Sequence, residues 1–416
     1  MRRALISRAV GYMGLVRHAR KLRRDTDKAI RESSRLHVVA RLGKLRGLPQ
    51  KLGQMASTRI ERDESAAYEQ LTDSSEPLPW RRIKRTLQQT WGCRVEQHLR
   101  WIDPHGFGAS LGQVHKAILH DGREVAIKIR YPGIRQAVMN DLKVLGWIAG
   151  QALGMPKDAD FSDYRAEILR NLEEELDYRI EAEHQRRYRA LAADVPQWVI
   201  PEIVDDLSNE EVLTSVWATG ERIGAAVAWP PPLRQQIADA LVQGFAHMLF
   251  HHGVLHADPH PGNYRFVQSA DGPSVILYDF GSVTTITPRR RVALLKVLAV
   301  ATSRSGDPYP ALVELGFNES TLQPVRDQLP TICWTLFEPV WQPGKQRFEW
   351  GRSAQQTASS AGDGVMSLWM GIPAHLLFIL RAFNGLRCYV DRLAAQVDWS
   401  TALAPCFAEH QAALAR

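Results

Sequence analysis

The chain has 416 residues, 45% of them hydrophobic and 23% charged, a balance that allows sizeable buried cores and excludes disorder throughout. Its four cysteines (Cys93, Cys333, Cys388, Cys406) lie far apart and form no CxxC pair, which excludes a zinc ribbon or disulfide framework and fits a reducing compartment. The net charge of +7 is uneven: residues 1–50 hold 14 Lys and Arg against three acids, and the rest is slightly acidic.

Residues 1–105 read as a basic helical extension, broken by SSEPLP at 74–79. Leu5, Ile6, Val10, Met13, Leu15 and Val16 recur among its arginines at roughly helical spacing, a pattern that suits a solvated helix or one lying on an anionic membrane surface. Aromatics are nearly absent from residues 1–50, which argues against nucleic acid as a partner. The N-terminus also lacks an apolar core of secretory-signal length. Residues 106–220 open with a predicted hairpin, GQVHKAIL and REVAIKIR flanking the turn signal HDG, and continue through two helical stretches to the β-rich runs WVIPEIV and EEVLTSVW. Residues 221–416 read as mostly helical, interrupted by the apolar strand of PSVILYDFGS and by a polar loop at 353–364. The most apolar stretch, 365–380, contains a proline, a histidine and a serine. It falls short of the roughly 20 residues of a spanning helix, so a buried helix pair is expected. The protein is expected to be cytoplasmic, with peripheral contact to the inner face of the membrane.

The chemistry-bearing motifs follow in order along the chain. VAIK ends at Lys128 on a predicted strand, and acids on a predicted helix follow in LEEELDYRIEAEH (172–184). HADPHPGN (256–263) then places Asn263 five residues after Asp258, and DFG begins at Asp279, at the end of the strand VILY. This order is the protein-kinase arrangement: a lysine for the α/β-phosphates of ATP or ADP, an acid to fix it, Asp258 to orient or deprotonate the nucleophile, and Asn263 and Asp279 as hard oxygen ligands for Mg2+. At 3.6 residues per turn, Glu174, Asp177 and Glu181 share one helix face and Glu175 points elsewhere. His247, His251, His252, His256 and His260 have spacings that could bind a transition metal, yet they cluster around the catalytic-type loop, where packing and loop bracing suffice. Three features depart from an ordinary protein kinase. Ala109 and Ser110 stand where a glycine-rich loop belongs, 53 residues separate Lys128 from Glu181, and the chain runs from Gly281 through SVTTITP into a helix near Arg289 with no APE motif.

Together with KLGQMAS (51–57), these departures make the chain resemble the UbiB/AarF family of atypical kinases, over about residues 36–393. LRGLPQKLGQMAS is similar to that family's KxGQ segment, GASLGQVHKA to its alanine-rich loop, and EELDYRIEAEH carries its ExD element; VAIKIRYPG, HADPHPGN and DFG also match. The resemblance implies an α+β, protein-kinase-like two-lobed fold with a small β-containing N-lobe, a helical C-lobe and an added N-terminal helical extension. It further implies that Lys51 and Gln54 belong to a helix over the nucleotide cleft, with Lys51 meeting Glu175 or Asp177. Lys128 would bind phosphates with Glu181 as partner, and Ala109, Ser110 and Gln113 would line the nucleotide side. Asp258 would be catalytic, and Asn263 and Asp279 the metal ligands. Phe107 and Gly108 replace two loop alanines, and His184 stands where the family commonly has asparagine. The implied function is ATP hydrolysis or small-molecule phosphorylation supporting ubiquinone or other isoprenoid-lipid metabolism, with an isoprenoid lipid or quinone precursor as partner. Two other classes compete: a catalytically weak nucleotide-binding lipid scaffold, and a small-molecule phosphotransferase of the aminoglycoside or choline kinase type, which would not carry KxGQ or ExD.

Overall fold

The computed structural model describes residues 77–109, 111–139, 173–337, 344–347 and 371–414. The chain divides into two compact units, one ending at Glu183 but including Glu202–Trp217, the other formed by His184–Pro201 and Ala218 onward.

In the first unit, Pro79 precedes helix α1 (Trp80–Trp91), and Gly92, at φ 68°, ends it. Ile83, Thr86 and Leu87 are buried at the i, i+3, i+4 spacing of an amphipathic helix. Strands β1 (Leu99–Ile102), β2 (Phe107–Gly108), β3 (Gly112–Leu119) and β4 (Glu124–Arg130) follow. The hairpin expected around HDG is β3–β4, antiparallel from Gly112↔Arg130 to Ile118↔Glu124. Its turn is tied by the amide of Arg123 donating to Asp121 Oδ1 at 2.9 Å. Period-two alternation buries Val125, Ile127 and Ile129 on one face and puts Ala126 and Lys128 on the other. The buried face packs on α1 through Ile83 and Leu87. β1 pairs with β3, so Leu99–Ile102, which the sequence leaves with the N-terminal extension, joins this sheet.

One expectation for this unit fails. Residues 172–184 do not form one continuous helix: a turn at Leu176 and a non-helical Asp177 separate residues 173–175 from helix α2 (Tyr178–Leu191). The cause is local. Asp177 Oδ1 accepts the amide of Arg179 at 3.0 Å, so the aspartate caps a new start instead of continuing the old turn. The shared face of Glu174, Asp177 and Glu181 therefore does not exist. From His184, α2 belongs to the second unit, as does β5 (Trp198–Val199); β6 (Val212–Val216) returns to the first and completes the sheet order β1-β3-β4-β6.

The second unit begins its main run with α3 (Ile223–Ala226) and α4 (Pro231–Ala246), which starts on a proline that needs no intrahelical donor. α4 continues into a π-helical turn (His247–His252) closed by Gly253, whose amide donates to the carbonyl of Met248. Gly253 sits at φ 66°, and a Cβ there would lie 2.7 Å from the carbonyl oxygen of Ile286, so only glycine fits. β7 (Val254–His256) pairs antiparallel with β10 (Val283–Thr285), while β8 (Tyr264–Val267) and β9 (Ser274–Leu277) pair with each other and β9 runs parallel to β5. Among the described residues, further α-helices are α5 (Pro288–Ser303), α6 (Tyr309–Glu314), α7 (Glu319–Leu322), α8 (Leu329–Leu336), α9 (Ala374–Arg392), α10 (Trp399–Glu409) and α11 (Gln411–Leu414). Their apolar faces and the strands share one core that includes Phe245, Leu277, Leu298, Leu386 and Trp399. The four cysteines are free thiols. Among the described residues, no helix is long and apolar enough to cross a membrane.

Candidate active site

Lys128 lies on β4 between Val114 of β3 and Leu213 of β6, so neighbours on both sides fix its backbone. Its Nζ donates to Glu181 Oε1 at 2.7 Å and Oε2 at 2.9 Å. The lysine side chain is 16% exposed and the glutamate 3%, and the ring of Tyr178 lies 5.2 Å from the ammonium. A pair this enclosed is aimed by geometry, because rotating either group away would strand a charge out of water.

The loop before β3 is held from behind. The amide of Ala109 donates to the carbonyl of Gly112 at 2.8 Å, while Ser110 lies outside the described residues. Gln113 faces the interior of the first unit. It is fully buried, its Oε1 accepts the amide of Leu78 at 2.6 Å, and its Nε2 lies 2.8 Å from His115 Nε2. The side chain anchors the loop to the segment leading into α1. Asp177 is likewise engaged, its carboxylate 2.7 Å from Arg179 Nη2, and that guanidinium holds the acid below the usual carboxylate range. Glu175 is buried. Lys51 and Gln54 lie outside the described residues.

In the second unit the catalytic-type loop and the DFG turn leave strands of two different sheets. β7 delivers Asp258, the short turn Pro261–Asn263 delivers the asparagine, and β9 delivers Asp279. Asn263 Nδ2 donates to Asp258 Oδ2 at 3.0 Å and to its carbonyl at 3.2 Å. Asp279 adopts φ 55°, a left-handed conformation that aspartate tolerates better than most residues, and its Oδ1 accepts the amide of Gly281 at 3.2 Å. His256 ties the two segments together: its Nε2 lies 2.9 Å from the carbonyl oxygen of Asp279 and 3.2 Å from that of Tyr278. Carbonyls only accept, so Nε2 carries the proton. Burial keeps this ring below the ordinary histidine range despite the opposing pull of Asp258 and Asp279. His260 Nδ1 accepts the amide of Gly262 at 3.0 Å and shapes the turn before Asn263. His184 Nδ1 lies 3.2 Å from the carbonyl oxygen of Phe280.

Three contributors escape the sequence motifs. Arg381 of α9 forms an ion pair with Asp258, both side chains nearly buried at 11% and 12% exposure. Its one sequence signal is a lone charge inside LLFILRAF. Arg265 Nη1 donates to the carbonyls of Pro261, Gly262 and Tyr264, at 3.3, 3.1 and 2.8 Å, bracing the turn that carries Asn263. Gly385, one turn beyond Arg381 on α9, leaves room for the loop: a Cβ there would lie 2.0 Å from Pro259 Cβ. Of the five histidines noted in the sequence, His256 and His260 brace the loop, and the other three gather elsewhere.

A strand lysine clasped by a helix glutamate in an antiparallel sheet, and an Asp-Asn-Asp set at strand ends in a helical unit, are the parts of a protein-kinase-like α+β fold. Residues 70–307 match the ABC1 atypical kinase-like domain, and the chain belongs to that family. It is 30% identical over 258 residues to the atypical kinase coq-8, mitochondrial, of Caenorhabditis elegans, covering 60% of this chain and 34% of that protein. It is also 30% identical over 257 residues to the atypical kinase COQ8B, mitochondrial, of Danio rerio, covering 60% of this chain and 41% of that one. The chain thus spans well under half the length of these curated relatives. Among solved structures, Rv3197 of Mycobacterium tuberculosis in complex with erythromycin superposes with a TM-score of 0.62 at 25% identity, covering 89% of this chain and 94% of that one.

Proposed function

We propose that the chain is an atypical kinase or ATPase that binds a magnesium nucleotide and passes the terminal phosphoryl group of ATP to water or to a small molecule. The observation that carries this proposal is the set of oxygen-bearing side chains at strand ends, with Asn263 tied to Asp258 at 3.0 Å and Asp279 fixed by a left-handed backbone at φ 55°. The donors suit Mg2+: carboxylate and amide oxygens, without sulfur or imidazole. Asp279 and Asn263 Oδ1 would hold the ion. When bound, magnesium supplies neutralisation of the charge on the transferring phosphoryl group.

The remaining roles belong to side chains. Lys128 presents an ammonium to the phosphate oxygens, and Glu181 keeps it aimed. Asp258 accepts the proton of the attacking water or hydroxyl. Arg381 and Asn263 restrain the carboxylate of Asp258 so that the accepting oxygen has one orientation.

The acceptor and pathway rest on different support. Between Gly281 and α5 lies only the short β10, with no long segment on which a peptide could dock. The second unit contains an apolar cavity of about 180 Å³ bordered by Phe245, Leu249, Phe250, Leu376 and Trp399. Its lining favours an apolar partner, and its size suits a ring or a short length of hydrocarbon. Rv3197, which shares this fold, is seen with a small molecule, erythromycin. Support of ubiquinone or other isoprenoid-lipid metabolism, on a quinone precursor or isoprenoid lipid, follows from this and from the family. The basic residues of 1–50 give the chain a means of meeting an anionic membrane surface.

Nucleotide binding is tested by thermal unfolding with and without Mg-ATP. The wild type gains stability only when both magnesium and nucleotide are present, and Asp279→Asn, which keeps the shape and removes the charge, shows no gain. An equal gain in the variant would contradict the assignment.

A further inference from the structure

α4 ends in a π-helical turn, and this turn gathers three imidazoles. In an α-helix His252 would lie about 140° around the axis from His247, pointing away from it. The wider turn, closed by the amide of Gly253 donating to the carbonyl of Met248, brings residues four and five positions on back beside the first. One ring nitrogen from each of His247, His251 and His252 lies within 4.8 Å of the others. The rings of His247 and His251 stack with centroids 4.9 Å apart, and that of His252 stands edge-on to both at 4.9 and 4.5 Å.

Packing does not explain what these nitrogens face. Nε2 of His247 and Nε2 of His252 are both withdrawn from solvent and have no hydrogen-bond partner. Leaving a buried acceptor unpaired is costly, and a ligand would recover that cost. Oxygen donors stand nearby. Asp194 Oδ2 is 3.9 Å from His247 Nε2, and its side chain is 71% exposed. Glu409 Oε2, at the end of α10, lies 2.6 Å from His251 Nδ1, which leaves Nε2 of that ring for another partner. A carboxylate on the far nitrogen of a ligating histidine is the usual outer support of a metal site.

We infer that His247, His251 and His252, with Asp194 as the fourth ligand and Glu409 orienting His251, form a site for a divalent transition-metal ion of the zinc type. Three imidazoles and one carboxylate make a closed tetrahedral set, a donor mix that suits zinc and excludes magnesium. Tetrahedral Zn–N bonds place nitrogens roughly 3.4 Å apart, so the rings close by about an ångström from their present spread. The site is structural. Asp194 lies just before β5, the π turn feeds β7 and hence the loop of Asp258, and Glu409 closes α10. An ion there would lock three segments that hold the catalytic-type loop from below.

The test uses the full chain without an affinity tag, stripped by a chelator and kept in excess Mg2+ so that oxygen-ligand sites stay occupied. Titration with Co2+ should give the intense visible bands of a tetrahedral centre at one ion per chain, and Zn2+ should bleach them. Zn2+ should also raise the unfolding temperature. His247→Gln/His252→Gln should lose the bands, the zinc-dependent stabilisation and more than about 100-fold in affinity, and Glu409→Gln should lose about 10- to 100-fold. Asp194→Asn, at an exposed position, should weaken binding and shift the bands. All variants should keep the Mg-ATP-dependent stabilisation, which separates this inference from the nucleotide assignment. Absence of tetrahedral bands in the wild type, or equal zinc affinity in wild type, Asp194→Asn and Glu409→Gln, would overturn it.

Discussion

Arg381 and Asp258 depend on each other because neither charge has ready access to water. Replacing Arg381 by methionine leaves the carboxylate buried against α9 without its cation, which should cost about 3–5 kcal/mol of stability. Adding Asp258→Asn to that variant should restore part of the loss, a coupling that urea denaturation of the two single variants and the double variant would measure. If Arg381→Met is as stable as wild type, the pair does not restrain the catalytic-type aspartate. His256 sets a second expectation. Its folded pKa lies below the ordinary 6.5, because burial disfavours the charged ring. The unfolded chain therefore takes up a proton near 6.5 that the folded chain refuses. The stability is complete above that pH and is lost as pH falls through 6.5 toward the folded value. His115, His247 and His252 shift in the same direction. The unfolding temperature should thus drop between about pH 7 and pH 5.5. His256→Gln, though less stable, should show a shallower drop, and an unchanged slope would remove His256 from the account.

Helix α9 controls the loop by shape as well as by charge. Gly385→Ala pushes a Cβ into Pro259, so the loop or the helix must shift; overpacking of this kind costs about 1–3 kcal/mol. A Cβ added at Gly224 in α3 would meet nothing within 4 Å, and Gly224→Ala should be neutral or slightly stabilising. Comparing unfolding temperature and nucleotide-dependent stabilisation of the two variants isolates the contact, and equal behaviour would show that Pro259 does not rest on α9. The difference between these glycines is invisible in sequence, because Pro259 and Gly385 meet only through tertiary packing. Arg381 is hidden for the same reason, 123 residues from Asp258. The β3–β4 hairpin is legible because a period of two and a tight turn are local properties. A single helix over 172–184 is the natural reading of its pattern, yet a side-chain cap at Asp177 outweighs that pattern.

Across the whole chain, the motifs point to the kinase-like fold because the order Lys128, Glu181, Asp258, Asn263, Asp279 encodes roles and not merely elements. Gln113 shows what that logic leaves out: its hydrogen bonds to Leu78 and His115 come from tertiary packing that no motif encodes. The histidines show the reverse case, since a spacing that looks like packing in an α-helix becomes a cluster in a π turn. The proposed phosphoryl chemistry is measured most directly as phosphate release from Mg-ATP by the purified full chain. Wild type should release phosphate in a magnesium-dependent manner, with and without anionic vesicles. Asp258→Asn should retain Mg-ATP-dependent stabilisation while losing about 100-fold or more of the release rate, the usual contribution of a positioned proton acceptor. Equal rates of phosphate release from wild type and Asp258→Asn would contradict the account.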